Sequence, residues 1–241
     1  MSRPTLNSDR FLDAFHSIEK FLYKAARKEK GTPFYGLVDT AAHSNSAVRH
    51  FAQDLKEFAD LRNAIVHERT DGHVIAEPND RAVAEIERMV ESLTNPPKVI
   101  PRFQTEVLTL QITESVVEAV KSMYDRSFSQ IPVYDGDEFT GVLTTNTVAR
   151  WLGSCAEVDI ISLTETTIAS VLEYTEDEDN HVFLGRSATL FEVQDRFQTY
   201  EGRGKRLEAI LVTDSGKPTE KLLGVVTIWD LPKVRRELEG G

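Results

Sequence analysis

Two kinds of hydrophobic spacing divide the chain. Before Pro97 the apolar positions recur every three to four residues: Phe11, Phe15, Ile18, Leu22 and Ala25, then Val48, Phe51, Leu55, Phe58, Leu61 and Ile65, then Val83, Ile86, Val90 and Leu93. Each series fills one face of a helix with 3.6 residues per turn. A shorter helix fits Tyr35 to Ala42, and no alternating strand pattern is apparent in this part. The expectation is a small all-α bundle over residues 1–95.

After Pro97 the pattern repeats itself. Ser115-Val-Val-Glu118 and Thr189-Leu-Phe-Glu192 both have the form of a capping box, in which a hydroxyl bonds the N3 amide and the Glu reaches back to the cap. Each is followed by an amphipathic helical stretch and an apolar strand, Ile131 to Tyr134 and Ala209 to Val212. An Asp/Gly turn and a second strand come next, Phe139 to Thr144 and Leu222 to Thr227. Both second strands end in a Gly-apolar-apolar-Thr step, Gly141 to Thr144 and Gly224 to Thr227. From box to Gly is 26 residues (115 to 141) in one copy and 35 (189 to 224) in the other. Longer loops at Glu201–Lys205 and Asp214–Glu220 absorb the difference. The shared order is β-α-β-β-α, and two copies should pair face to face, since one alone leaves a sheet face uncovered. The predicted fold class is therefore α+β in two domains, the helical bundle over 1–95 and the repeat pair over 96–241. Copy one spans about 98–153 and copy two about 165–237.

Charge distinguishes the parts further. Of 39 acidic residues 24 follow Pro97, against 15 of 28 basic ones, so most of the net charge of −11 is C-terminal. Such a surface opposes general nucleic-acid coating. No apolar run approaches the ~18 residues of a membrane span, and the start lacks a signal-peptide core, so a cytoplasmic protein with no membrane partner is expected. A single cysteine, Cys155, excludes an internal disulfide and a Cys-based metal cage.

The repeat order, with Ser129-Gln-Ile-Pro-Val133 in copy one and Gly224-Val-Val-Thr-Ile-Trp-Asp230 in copy two, resembles a tandem pair of cystathionine-beta-synthase (CBS) domains, often called a Bateman module. The resemblance implies an adenosine-containing regulatory ligand in clefts between the copies: AMP, ADP or ATP, with adenosylmethionine and a cyclic dinucleotide also open. The family pattern places a Thr or Ser and, three residues later, an Asp on the ribose hydroxyls, which Thr227 and Asp230 match. In copy one Thr144 is present but Thr147 stands where the Asp would be, with Asn146 before it, so a weak or empty second site is expected. Asp230 also suits a helix N-cap ahead of Leu231-Pro232. Arg126 is the first candidate for a phosphate contact, with Arg186, Lys205 and Arg206 behind it. Trp151 and Trp229 are large rings for packing or stacking.

In the first part Leu61-Arg62-Asn63-Ala64-Ile65-Val66-His67 resembles the Arg-(polar)-x-x-x-His signature of the higher eukaryotes and prokaryotes nucleotide-binding (HEPN) superfamily. Many members of that superfamily are dimeric metal-independent ribonucleases and others are inactive or only bind nucleotides, so the resemblance implies a homodimer in which Arg62 and His67 of both chains meet, with Asn63 beside them as a third candidate catalytic residue. A near-neutral His can take a 2′-hydroxyl proton and an Arg fork can hold the phosphate charge. Positions five apart lie about 140° apart around a helix, so Arg62 must reach round its edge. The alternative is an ordinary ion pair for Arg62 and a helix-end His67.

No phosphate loop, metal-ligand spacing or nucleophile elbow is present, and the acidic run Glu173 to Asp179 lacks the pattern of a calcium loop. Two functions of different class stay open. One is an adenine-nucleotide-gated, metal-independent endoribonuclease, and the other a non-enzymatic nucleotide-binding regulator whose helical domain mediates dimerisation or docks a partner.

Overall fold

The computed structural model describes residues 6–29, 31–67, 69–70, 73–74, 77–156, 162–177 and 179–239. By packing, the chain divides into two compact units, 1–97 and 98–241.

The first unit comprises α1 (Asn7–Ala26), α2 (Phe34–Ala42), α3 (Ser46–His50), α4 (Ala52–His67), the strands β1 (Arg69–Thr70) and β2 (His73–Val74), and α5 (Asp80–Thr94). Phe11, Ile18, Leu22, Leu37, Leu55, Ile65 and Ile86 are almost wholly removed from water, which is the three-to-four spacing at work. Phe11 meets Phe58 edge-on at 5.6 Å between centroids, and Phe15 stacks on Phe34 at 4.6 Å. Asn45 and Asn79 cap α3 and α5 by accepting from the amides of Val48 (3.0 Å) and Ala82 (2.9 Å). Arg10 of α1 forks onto Glu87 of α5, with N···O distances of 3.0 and 2.7 Å.

Some details differ from the sequence expectation. In α5 Met89 is buried where the spacing predicts Val90, and in α1 Ala26 where it predicts Ala25, while Phe51, Phe58 and Leu61 are only half-buried. The unit also contains strand: β1 pairs antiparallel with β2, a ladder of two residues a side that is too short to alternate visibly in sequence.

The second unit opens with α6 (Val99–Arg102) and then runs β3 (Leu110–Gln111), α7 (Val116–Arg126), β4 (Gln130–Asp135), β5 (Glu138–Thr144) and α8 (Thr145–Ser154). After α9 (Ile168–Leu172) the order recurs as β6 (His181–Gly185), α10 (Leu190–Gly202), β7 (Ala209–Thr213), β8 (Gly224–Val226), a 3-10 turn over Ile228–Asp230 and α11 (Leu231–Glu239). Both sheets have the same plan, the first strand parallel to the second and the second antiparallel to the third. Each copy has its own core: Val116, Met123, Ile131, Leu143 and Trp151 in one, Leu190, Phe197, Ile210, Val212 and Val226 in the other. Strand alternation sends Val142, Ala209 and Leu211 the opposite way, into a third cluster where the sheets face each other, and Leu222, just before β8, joins them there. Phe139 contacts Tyr134, Phe183 and His181 beside that cluster, at 5.5, 5.0 and 4.9 Å between ring centroids.

The leading segments are exchanged. α6 precedes copy one, yet Val99, Ile100 and Phe103 lie in the core of copy two, where the Val99 amide donates to Ala188 O (2.8 Å). α9 precedes copy two, yet Ile168 and Val171 lie in the core of copy one, where Ile168 N–H donates to Glu114 O (2.9 Å).

The Thr189 capping box is formed: Thr189 Oγ1 accepts from Glu192 N (3.2 Å), and Glu192 Oε2 from Thr189 N (2.7 Å). The Ser115 box is not. The Ser115 side chain makes no cap bond, and the Val116 amide donates to Thr166 O of the α9 approach instead. Trp151 fills the copy-one core, whereas Trp229 is 79% exposed.

Candidate functional site

Two of the clefts between the copies take the same three parts in reciprocal order. The first, of about 390 Å³, is walled by 105–108 before β3 and 127–130 between α7 and β4, both of copy one, and by Thr227 and Asp230 of copy two. The second, of about 310 Å³, is walled by Asp177 and Asn180 before β6 and 204–206 after α10, both of copy two, and by Thr144, Asn146 and Thr147 of copy one. The repeat's rough twofold relation exchanges one cleft for the other.

Their chemistry differs. In the first cleft Asp230 Oδ2 accepts from both the amide (2.8 Å) and the hydroxyl (3.1 Å) of Thr227, which closes the start of the 3-10 turn. Asp230 Oδ1 has no hydrogen bond among the described residues, and the pair is only half-buried. The cap and ligand roles are thus compatible: one oxygen fixes the turn and the other is left without a bond. A carboxylate held this way can accept from a vicinal diol.

In the second cleft Thr144 and Thr147 are 4% and 2% exposed. Thr144 Oγ1 accepts from Thr147 N (3.0 Å), and the two hydroxyls bond each other at 2.9 Å. The remaining polar groups of this cleft are largely paired. Lys205 Nζ lies 3.3 Å from both Asp177 and Asp179, and these bonds, Asp179 first, raise its pKa. Arg206 meets Glu208 at 2.8 Å, although burial still pushes that carboxyl upward. Asn146 donates to Glu176 at 2.9 Å.

Of the candidate phosphate contacts, Arg126 ends α7 on the exposed surface and is not among the residues lining either cleft. Arg186 pairs with Asp214 at 3.0 Å, also away from both. Lys205 and Arg206 belong to the second cleft. The lining of the first has Glu106 and Asp230 as its charged groups, and Phe128 as an aromatic wall that sequence reasoning did not single out.

In the helical unit Arg62 and Asn63 sit in α4, where Arg62 Nη1 donates to Asn63 Oδ1 at 3.3 Å. His67 ends that helix; its side chain lies outside the described residues. No group of three or more His, Cys, Asp or Glu is arranged to hold a metal ion among the described residues. No described helix is long and apolar enough to cross a membrane.

Similar solved structures include the CBS domain of a CBS-domain-containing membrane protein from Sphaerobacter thermophilus, at 17% identity and TM-score 0.46, covering 64% of this chain and 97% of that one. The CBS domain pair of protein MJ0100, in complex with 5′-methylthioadenosine and S-adenosyl-L-methionine, is 15% identical, with 59% and 98% covered and a TM-score of 0.44. CBSX2 in complex with AMP is 13% identical, with 57% and 96% covered and a TM-score of 0.40. No curated protein matched the chain. Residues 100–154 match the family described as the CBS domain, so the chain carries a CBS domain there, and the same order of elements recurs after it.

Proposed function

We propose that the second unit is a CBS pair that senses an adenosine-containing ligand, held by its ribose on Thr227 and Asp230, and that ligand occupancy regulates the helical unit. The observation that carries this reading is the position of the Thr227/Asp230 pair, half-buried with a carboxylate oxygen to spare, on the wall of a 390 Å³ cleft between the copies. The internally satisfied Thr144/Thr147 pair supports one working site rather than two.

A ligand that binds only the folded chain stabilises it by RT ln(1 + [L]/Kd), about 2.7 kcal/mol at a hundred times Kd. Adenosine and its derivatives should therefore raise Tm. Asp230→Ala should abolish most of that rise, and Thr147→Ala should leave it nearly intact. Equal stabilisation of wild type and Asp230→Ala by every derivative would overturn the reading.

The finer reading of the helical unit is a homodimeric, metal-independent ribonuclease acting through Arg62, Asn63 and His67. It rests on the sequence signature in α4. EDTA-treated protein should then cleave single-stranded RNA to 2′,3′-cyclic phosphate ends, and His67→Ala should slow cleavage by about 10²- to 10⁴-fold. A complete absence of cleavage, with or without ligand, would leave a non-enzymatic regulator.

A further inference from the structure

The first cleft combines two acidic groups with two aromatic rings and has no cation to match. Its lining contains Glu106 and Asp230 but no Lys or Arg, and the Glu106 carboxylate has no ion pair among the described residues. Phe128 and Trp229 stand on opposite walls, one on the α7–β4 connection and one on the 3-10 turn, 44% and 79% exposed. Exposed rings with open faces beside carboxylates attract positive charge, and uncompensated carboxylates repel phosphate. Lys205 and Arg206, the cations of the second cleft, are paired with Asp177, Asp179 and Glu208, while Arg126 beside Ser127 and Lys221 beyond Glu106 adjoin the first cleft without lining it.

Building on the ribose site proposed above, we infer that this cleft selects adenosine derivatives whose 5′ substituent carries a positive charge, such as a sulfonium or an ammonium, and discriminates against 5′-phosphates. Thr227 and Asp230 hold the ribose. Glu106, with the rings of Phe128 and Trp229, sets the preference at the 5′ end.

The test is calorimetric titration of the full chain with adenosine, S-adenosylmethionine, S-adenosylhomocysteine and AMP. The two sulfur compounds differ by one methyl group and one positive charge, so they isolate the charge. The sulfonium should bind about fivefold to tenfold tighter than its neutral counterpart, and AMP at least about tenfold weaker than adenosine. Glu106→Lys should reverse the order in favour of AMP, and Glu106→Gln should narrow it. Trp229→Ala removes an exposed ring, so it should reduce the sulfonium preference without lowering Tm. AMP binding wild type as tightly as adenosine, or a ligand order unchanged by Glu106→Lys, overturns the inference and leaves the ribose site standing. No binding by any of the four, or binding indifferent to Asp230→Ala, removes the ribose site and the inference together.

Discussion

Copy one and copy two of the second unit share strand order, sheet register and the Gly-apolar-apolar-Thr step, yet they end that step in opposite ways. In copy one, Thr144 and Thr147 bond each other and are sealed from water. In copy two, Thr227 faces a carboxylate that uses one oxygen for the turn and leaves the other open. Two hydroxyls can satisfy each other and be buried, whereas a carboxylate with a lone-pair face to spare must stay near solvent or a ligand. One residue, Thr147 against Asp230, thus separates a sealed packing contact from a step with a spare acceptor, and the backbone that follows is the α-helix α8 in copy one and a 3-10 turn in copy two.

The comparison can be broken most sharply at the glycines. A Cβ on Gly224 would lie 2.1 Å from the carbonyl oxygen of Phe103, whereas one on Gly141 would meet nothing within 4 Å. Gly224→Ala should therefore cost about 3 kcal/mol or more by forcing the α6 segment outward, and Gly141→Ala less than about 1 kcal/mol, as read by urea unfolding. Equal costs would show that the two steps are loaded alike.

A smaller contrast is expected at the threonines. Thr144→Val removes a buried N-cap and leaves the Thr147 amide and hydroxyl without their partner, which should cost about 1–2 kcal/mol. Thr227→Val should cost less stability, because its site is half-exposed, while weakening adenosine binding.

The mildest test concerns pH. His181, between the sheets beside Phe139 and Phe183, is held below its ordinary pKa of 6.5 by burial, with Asp179 partly opposing. The unfolded chain then binds the proton more readily, so this group's stabilisation is intact above about pH 6.5 and declines as the pH falls below it. His50 in the helical unit is lowered for the same reason and adds a slope of the same sign. His181→Phe should flatten the loss between pH 6.5 and 5.5 without removing it. An unchanged slope would place the titration elsewhere.

Much of the fold was legible where local physics decides it. The helical stripes put Phe11, Ile18, Leu55 and Ile86 in the core, and Thr189 with Glu192 formed its capping box. Ser115 with Glu118 has the same spelling, but the Val116 amide is taken by Thr166, a partner 50 residues away that local pattern cannot reveal. The exchange of α6 and α9 was invisible for a similar reason: an apolar run such as Val99-Ile100 states that it will be buried, not in which copy. At the candidate site, the Thr227/Asp230 spacing was readable because one turn supplies both groups. Glu106 and Phe128 were not, since they reach the cleft from other segments through sheet packing. Arg126, singled out as a basic residue near the strand in sequence, ends α7 on the surface beside Ser127 of the first cleft and is not itself in the lining.

The crossed segments also decide what can be cut apart. A gene fragment ending at Ser154 would encode a copy one without Ile168 and Val171, and one starting at Ser162 a copy two without Val99 and Phe103. Each fragment would leave a hydrophobic hole that only the other can fill. The repeat seen in the letters is therefore not the smallest inheritable piece. The two halves are viable only as a couple, and separately expressed fragments should recover structure when mixed.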